Sequence, residues 1–325
     1  MEAALALDVA DRPPVSAWGH DYDAEWDAAR LARVTVDKAR RLEFDFVKLQ
    51  IRATSFGEAF GAAYRYSGDP ARAPLGDPPI KRPGDWAKLP AVRGDTTPLD
   101  AQVECVRLVA RGLGEQAPVI QTVFSPVTVG RFLSTTMLED LRSHPDLVLP
   151  ALDRIAVALA EFCAASIRAG AAGVFYAITG FASANAMPLA EYEEFLLPLD
   201  RKVLEACAGG WFNMLHLCGP RQHFELASLL PVHCVNWQLQ DAGNPGLVEA
   251  RELTGKAVAG GLHRQTPIAD GTPEDVFHEA ARALDATAGR GHLLTPGCSV
   301  SPWRRQGEDN MRALVRAASG RSYDA

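Results

Sequence analysis

Nowhere in these 325 residues do about 20 consecutive apolar side chains occur, so no segment qualifies as a membrane-spanning helix. The stretch Met1–Asp11 lacks a basic region ahead of an apolar core; Glu2 and Asp8 stand there instead, and no secretory leader is expected. Cysteine is sparse. Six are spread through the chain without the dense spacing of a disulfide framework. Such cysteines suit a reducing, cytoplasmic setting, as metal ligands, nucleophiles or buried hydrophobes. Positive charge is not in excess: 33 Lys and Arg against 40 Asp and Glu give a net charge of −7. A nucleic-acid partner, which needs a basic footprint, is therefore not expected. No low-complexity tract and no short fixed repeat interrupts the chain. What is there, 47% hydrophobic and 22% charged residues, is the composition of a soluble globular protein.

His216, Cys218 and the distant Cys298 carry the chemistry. They stand in Asn213-Met214-Leu215-His216-Leu217-Cys218-Gly219 and in Thr295-Pro296-Gly297-Cys298-Ser299. The first segment reads as the end of a buried strand, and residues i and i+2 of a strand share a face. His216 and Cys218 can then grip one ion, with Cys298 arriving from another strand. Three such ligands suit a zinc ion with one position left open, as in catalytic sites. The remaining cysteines, Cys105, Cys163, Cys207 and Cys234, lie in apolar surroundings and read as buried hydrophobes.

Short apolar runs alternate with amphipathic stretches, the pattern of parallel strands and crossover helices. Eight runs stand out: Pro14–Trp18, Phe44–Leu49, Pro118–Phe124, Gly173–Ile178, Trp211–Leu217, His233–Leu239, Lys256–Gly261 and His292–Pro296. Helices are expected at Pro150–Ala169, Leu189–Ala208, Pro220–Leu230, Pro245–Leu253 and Pro273–Ala288. Thr272-Pro273-Glu274-Asp275 has the chemistry of a first turn. The expected fold is α/β: a (β/α)8 TIM barrel in a single domain, residues 1–325, with its site at the C-terminal ends of the strands. Polar residues gather at those ends: His20, Lys48, Gln50, Arg52, Gln121, Tyr176, Gln238, Gln240, Asp241, His263 and Arg264. Residues 67–98, rich in Pro and Gly after the second run, read as an insertion or lid.

Several motifs resemble the uroporphyrinogen decarboxylase-like superfamily, and within it the zinc-dependent corrinoid:thiol methyltransferases of the coenzyme M type. They are Asp45-Phe46-Val47-Lys48, Ser125-Pro126-Val127-Thr128-Val129-Gly130, Ala169-Gly170-Ala171-Ala172-Gly173, Tyr192-Glu193-Glu194-Phe195 with Pro198, His216-Leu217-Cys218-Gly219, and Pro296-Gly297-Cys298 with Glu308-Asp309-Asn310. The decarboxylase branch fits less well. Its N-terminal arginine clasp is missing from Arg12-Pro13-Pro14-Val15-Ser16-Ala17-Trp18-Gly19-His20. The methyltransferase pattern is also departed from. The carboxylate that some members place after the sixth strand has only Asp241 to represent it, and Ala177-Ile178-Thr179 lacks an acid after the fourth strand.

The resemblance implies that His216, Cys218 and Cys298 bind Zn2+. It implies methyl transfer between a corrinoid (methylcobalamin, carried by a partner corrinoid protein) and a small thiol or related methylated substrate. His20, His263 and Tyr176 become catalytic candidates. Lys48, Gln50, Gln121, Gln238, Asp241 and Arg264 become substrate-binding candidates, with Lys48 and Arg264 placed to meet an anionic group. A homodimer is compatible with such barrels. Three alternatives stay open: a zinc-dependent thiol alkyltransferase without corrinoid, a metal-free decarboxylase or lyase, and a silent ligand-binding relative.

Overall fold

The computed structural model describes residues 1–69, 73–92, 98–300 and 307–320. Among the described residues nine strands form: β1 Val47–Leu49, β2 Ala63–Arg65, β3 Leu75–Asp77, β4 Val119–Phe124, β5 Gly173–Thr179, β6 Met214–Cys218, β7 Cys234–Trp237, β8 Ala257–Leu262 and β9 His292–Pro296. Seven make one curled parallel sheet in the order β1-β4-β5-β6-β7-β8-β9, while β2 and β3 form a separate antiparallel pair. The first expected run, Pro14–Trp18, contributes a single bridge, Val15 to Leu294. Around it Leu294 N donates to Pro14 O at 2.8 Å, Ser16 N to Leu294 O at 3.2 Å, and Asp45 N to Val15 O at 2.9 Å. This short segment thus links β9 to the residues leading into β1. Pro13 and Pro14 have no N–H to donate, which keeps the pairing short.

Alternation along the strands divides the core in two. One set of apolar side chains (Trp18, Phe46, Ile120, Phe175, Met214, Cys234, Ala257, Ala259, Leu293) packs inside the curl. The other set, including Val47, Val119, Val123, Val174, Leu215, Val235 and Val258, faces the surrounding helices. Both faces of the strands are buried, as expected for a parallel sheet.

The helices largely follow the sequence. Thr272 caps Pro273–Thr287 in a capping box, its Oγ1 accepting from Asp275 N at 3.2 Å while Thr272 N donates to Asp275 Oδ2 at 3.1 Å. Three stretches differ from expectation. The helix read as Pro150–Ala169 begins earlier, running Pro145–Arg168, because Pro145 is tolerated in its first turn. The helix read as Leu189–Ala208 is two, Leu189–Phe195 and Leu197–Glu205, since Pro198 carries no N–H to continue the first. The stretch Pro220–Leu230 keeps only Leu226–Leu229 as helix.

Within residues 67–98, Trp86 is fully buried on a 3-10 turn, Pro83–Lys88. Its Nε1 donates to Asp140 Oδ2 at 2.9 Å, and its carbonyl accepts from Arg154 at 3.1 Å. This tryptophan pins Pro83–Lys88 to the helices Met137–Ser143 and Pro145–Arg168, while residues 70–72 and 93–97 of the expected insertion lie outside the described residues. Among the described residues, no helix is long and apolar enough to cross a membrane.

Candidate metal centre

His216 and Cys218 follow Met214 on the inner face of β6, as the period of two requires. Cys298 lies two residues past the end of β9. His216 Nε2 is 3.7 Å from Cys298 Sγ, and the three donor atoms all lie within 4.8 Å of one another. Each is held from behind. Gly219, at φ +113°, turns the chain immediately after Cys218. The Cys218 carbonyl accepts from Gly180 N at 3.0 Å and from Gln222 Nε2 at 3.1 Å. Gly297 lies so close to β7 that a Cβ there would stand 2.6 Å from Trp237 O and 2.7 Å from Gln238 Cα. Phe175 stacks on the His216 ring at 5.0 Å between centroids.

The donor set fits zinc. A tetrahedral ion with Zn–S of about 2.3 Å and Zn–N of about 2.0 Å sets neighbouring donors roughly 3.5–3.8 Å apart. The 3.7 Å between His216 Nε2 and Cys298 Sγ is such an edge. The sulfurs are also poised electrostatically. A hydrogen bond from Cys218 draws the Cys298 thiol well below its ordinary range, against its burial and with help from His216 and the Arg264 cation. The same contact, together with burial, pushes the Cys218 thiol up.

Around this cluster stand two polar walls. On one side Lys48 lies over the Phe175 ring, its Nζ 4.6 Å from the centroid, and donates to Gln50 Oε1. Burial lowers the Lys48 amine to about 7. Gln50 Oε1 also accepts from Ser299 Oγ at 3.3 Å, so its amide nitrogen turns to His20 Nε2 at 2.8 Å. His20 Nδ1 then donates to the buried Glu25 carboxylate at 2.7 Å. A cavity between these residues and the helix Ala28–Leu42 is lined by Trp18, Lys48 and Gln50 on one side and by Leu31, Val34 and Lys38 on the other. Trp18 Nε1 is buried without a protein acceptor.

On the other side Arg264 N donates to Gln238 Oε1 at 3.1 Å. Burial would lower the Arg264 guanidinium, but the facing sulfurs of Cys298 and Cys218, with the Asp241 carboxylate, raise it instead. Gln238 Nε2 reaches Gln240, whose own amide donates to Glu279 Oε1 at 3.3 Å. His263 Nδ1 is occupied, accepting from the backbone N–H groups of Gln265 and Thr266 at 3.2 and 3.3 Å.

Two expected residues are not brought here. Tyr176 packs among the outer apolar set, and its hydroxyl donates to Asp200 Oδ1 at 2.5 Å. Gln121 follows the inward Ile120 and so faces outward, fully buried. Both lie one residue out of phase with the inner face, and a one-residue offset reverses the side of a strand. Conversely, Asn236, Gly297 and Glu279 were not singled out by sequence. Asn236 had a signal: a polar residue inside the apolar run Cys234–Trp237, two positions from Gln238 and hence on its face. Glu279, on a helix, had none.

Residues 22–320 match the uroporphyrinogen decarboxylase (URO-D) family. The chain belongs to that family. Among curated relatives, the methylcobamide:CoM methyltransferase MtbA of Methanosarcina mazei is 23% identical over 309 residues, spanning 93% of this chain and 87% of the relative. A uroporphyrinogen decarboxylase of Streptomyces coelicolor is 31% identical over 257 residues, spanning 72% of this chain and 66% of the relative. Among solved structures, a methyltransferase from Methanosarcina mazei superposes with a TM-score of 0.79 at 20% identity, covering 98% of this chain and 96% of its own. That likeness establishes the fold. The methyltransferase aligns over more of the chain, and the decarboxylase at higher identity over less of it.

Proposed function

We propose that this family member is a zinc-dependent methyltransferase, built as one (β/α)8 domain. It moves a methyl group between a corrinoid on a partner protein and a small thiol. The reading rests on one observation: His216 Nε2, Cys218 Sγ and Cys298 Sγ converge within 4.8 Å where β6 and β9 end. Two sulfurs and an imidazole are a transition-metal donor set, and three protein ligands leave a position for substrate. Zinc, when bound there, supplies a Lewis acid that lowers the pKa of a thiol and makes its sulfur nucleophilic at neutral pH.

Written for thiol methylation, the sulfur–carbon bond forms as the cobalt–carbon bond breaks. The bonding pair stays on cobalt, and the thiol proton is released. The residues of this chain bind and orient. Lys48 and Gln50, the latter bonded to Ser299 beside Cys298, offer donors to a polar end of the thiol. Arg264, held by Gln238, balances the negative charge of the two sulfurs. Asp241 and His263 edge the same rim, and His20 is kept in place by Glu25 and Gln50. Tyr176 and Gln121 have no part in this scheme.

The test is elemental analysis of the purified protein beside Cys298→Ser, followed by an absorbance assay with methylcobalamin and a thiol. About one zinc per chain, sharply reduced in the variant, is expected from a three-ligand site. Demethylation of methylcobalamin by the wild type alone completes the reading. Zinc without demethylation favours an alkyl transfer that uses no corrinoid. A folded wild type that takes up no zinc sinks the metal mechanism.

A further inference from the structure

Asn236 sits inside the curl on β7, fully buried. Its amide has an unambiguous orientation. Nδ2 donates to Ala259 O at 2.9 Å and Pro296 O at 3.2 Å, and lies 3.3 Å from Thr295 Oγ1. Two of these partners are carbonyls and can only accept, so the amide nitrogen must face them. Oδ1 is left to accept, and its partner is His216 Nδ1 at 2.7 Å. The neutral ring therefore carries its proton on Nδ1. The bare lone pair is on Nε2, the atom 3.7 Å from Cys298 Sγ.

The same side chain spans the sheet. It takes a bond from β6 and gives bonds to β8 and β9, and Pro296 precedes Cys298 by two residues. We infer that Asn236 is the positioning residue of the metal centre: it fixes the His216 tautomer and spaces His216 from Cys298 through one amide. The inference rests on the metal reading above and adds to it the residue that aims the ligand. An amide is required for both tasks. A carboxylate could accept from His216 but would set an acceptor against two backbone carbonyls. An aliphatic side chain would do neither.

The histidine tautomer can be read directly. Long-range 1H–15N spectra of metal-free protein with labelled histidine, at mildly alkaline pH, report which ring nitrogen holds the proton. The His216 signal is assigned by its loss in His216→Gln. The expected result is Nδ1–H in the wild type and a mixture of tautomers in Asn236→Ala. Zinc affinity of Asn236→Ala, measured against a competing chelator, should fall about 10- to 100-fold, the usual cost of losing such a partner. A wild-type ring protonated only at Nε2 overturns the inference, even if the variant does not fold. Unchanged zinc affinity in a folded Asn236→Ala overturns it while leaving the metal reading intact. A wild type that binds no zinc removes both, whatever the tautomer.

Discussion

At the scale of single residues, the centre depends on atoms that are absent as much as on those present. Gly297 has no Cβ, and one placed there would stand 2.6 Å from Trp237 O and 2.7 Å from Gln238 Cα. Backbone does not yield as a flexible side-chain tip does. Gly297→Ala should therefore push the Pro296–Ser299 turn off β7 and carry Cys298 away from His216. We expect a loss of about 1–3 kcal/mol in stability, as for other overpacked sites, and a weaker hold on zinc. A denaturant titration and a chelator competition check both; wild-type values in both would show that the turn moves freely. The donor triad itself was legible in the sequence, because spacing on a strand and residue chemistry agree there. Gly297 and Asn236 were not, because their roles depend on β7 lying against β9 and β6, which no local pattern records. Tyr176 and Gln121 were misplaced for the opposite reason: each lies inside its strand and not at the strand's end, and strand phase turns both to the outer side of the wall.

At the scale of elements, the two helices Leu189–Phe195 and Leu197–Glu205 are tied to β5 by one carboxyl group. Asp200 accepts from Tyr176 at 2.5 Å and from Tyr192 at 2.6 Å, all three fully or nearly fully buried. Burial raises the Asp200 carboxyl to about 7, although both hydroxyls pull it down. Its ordinary value in an unfolded chain is about 3.9. Between those values the folded state holds the extra proton, so rising pH works against folding. The contribution is whole below about pH 4 and is lost as pH climbs towards 7. Asp200→Asn keeps the shape and removes the titration. Its stability relative to wild type should therefore rise steadily from pH 4 to pH 7, read from urea midpoints at each pH. A constant difference across that window would show that Asp200 is ionised throughout. The core strands were legible because their apolar runs are bounded by turn residues. The break before Leu197 was not, since the apolar periodicity passes through Leu196 and Pro198 without interruption. The β2–β3 pair escaped notice because Ala63–Arg65 shows no alternation.

At the scale of the whole molecule, the curl must be joined where the chain begins and ends, and this is where the sheet is thinnest. Among the described residues two isolated bridges join these ends, Val9 to Arg290 and Val15 to Leu294, and Asp45 reinforces the second. Asp45 Oδ2 accepts from Val15 N at 2.8 Å, and both carboxylate oxygens take Arg12 at 2.6 and 2.7 Å. The Arg12 pair is partly exposed, with side chains 34% and 23% accessible, so water screens much of its attraction. The bond from Val15 N to a charged acceptor should matter more. Asp45→Ala should cost about 2 kcal/mol, the scale of a lost hydrogen bond to a charged group. The loss should be local before it is global. The amides of Ser16 and Leu294, which bond across the seam, should exchange with solvent faster. Those of β5, at the middle of the sheet, should open only with the whole fold. Since β9 leads into Gly297 and Cys298, a loosened seam should also weaken zinc binding, more so as temperature rises. Equal acceleration of exchange in β5 and at the seam would mean that the ring opens as one unit and that Asp45 merely adds to its total stability.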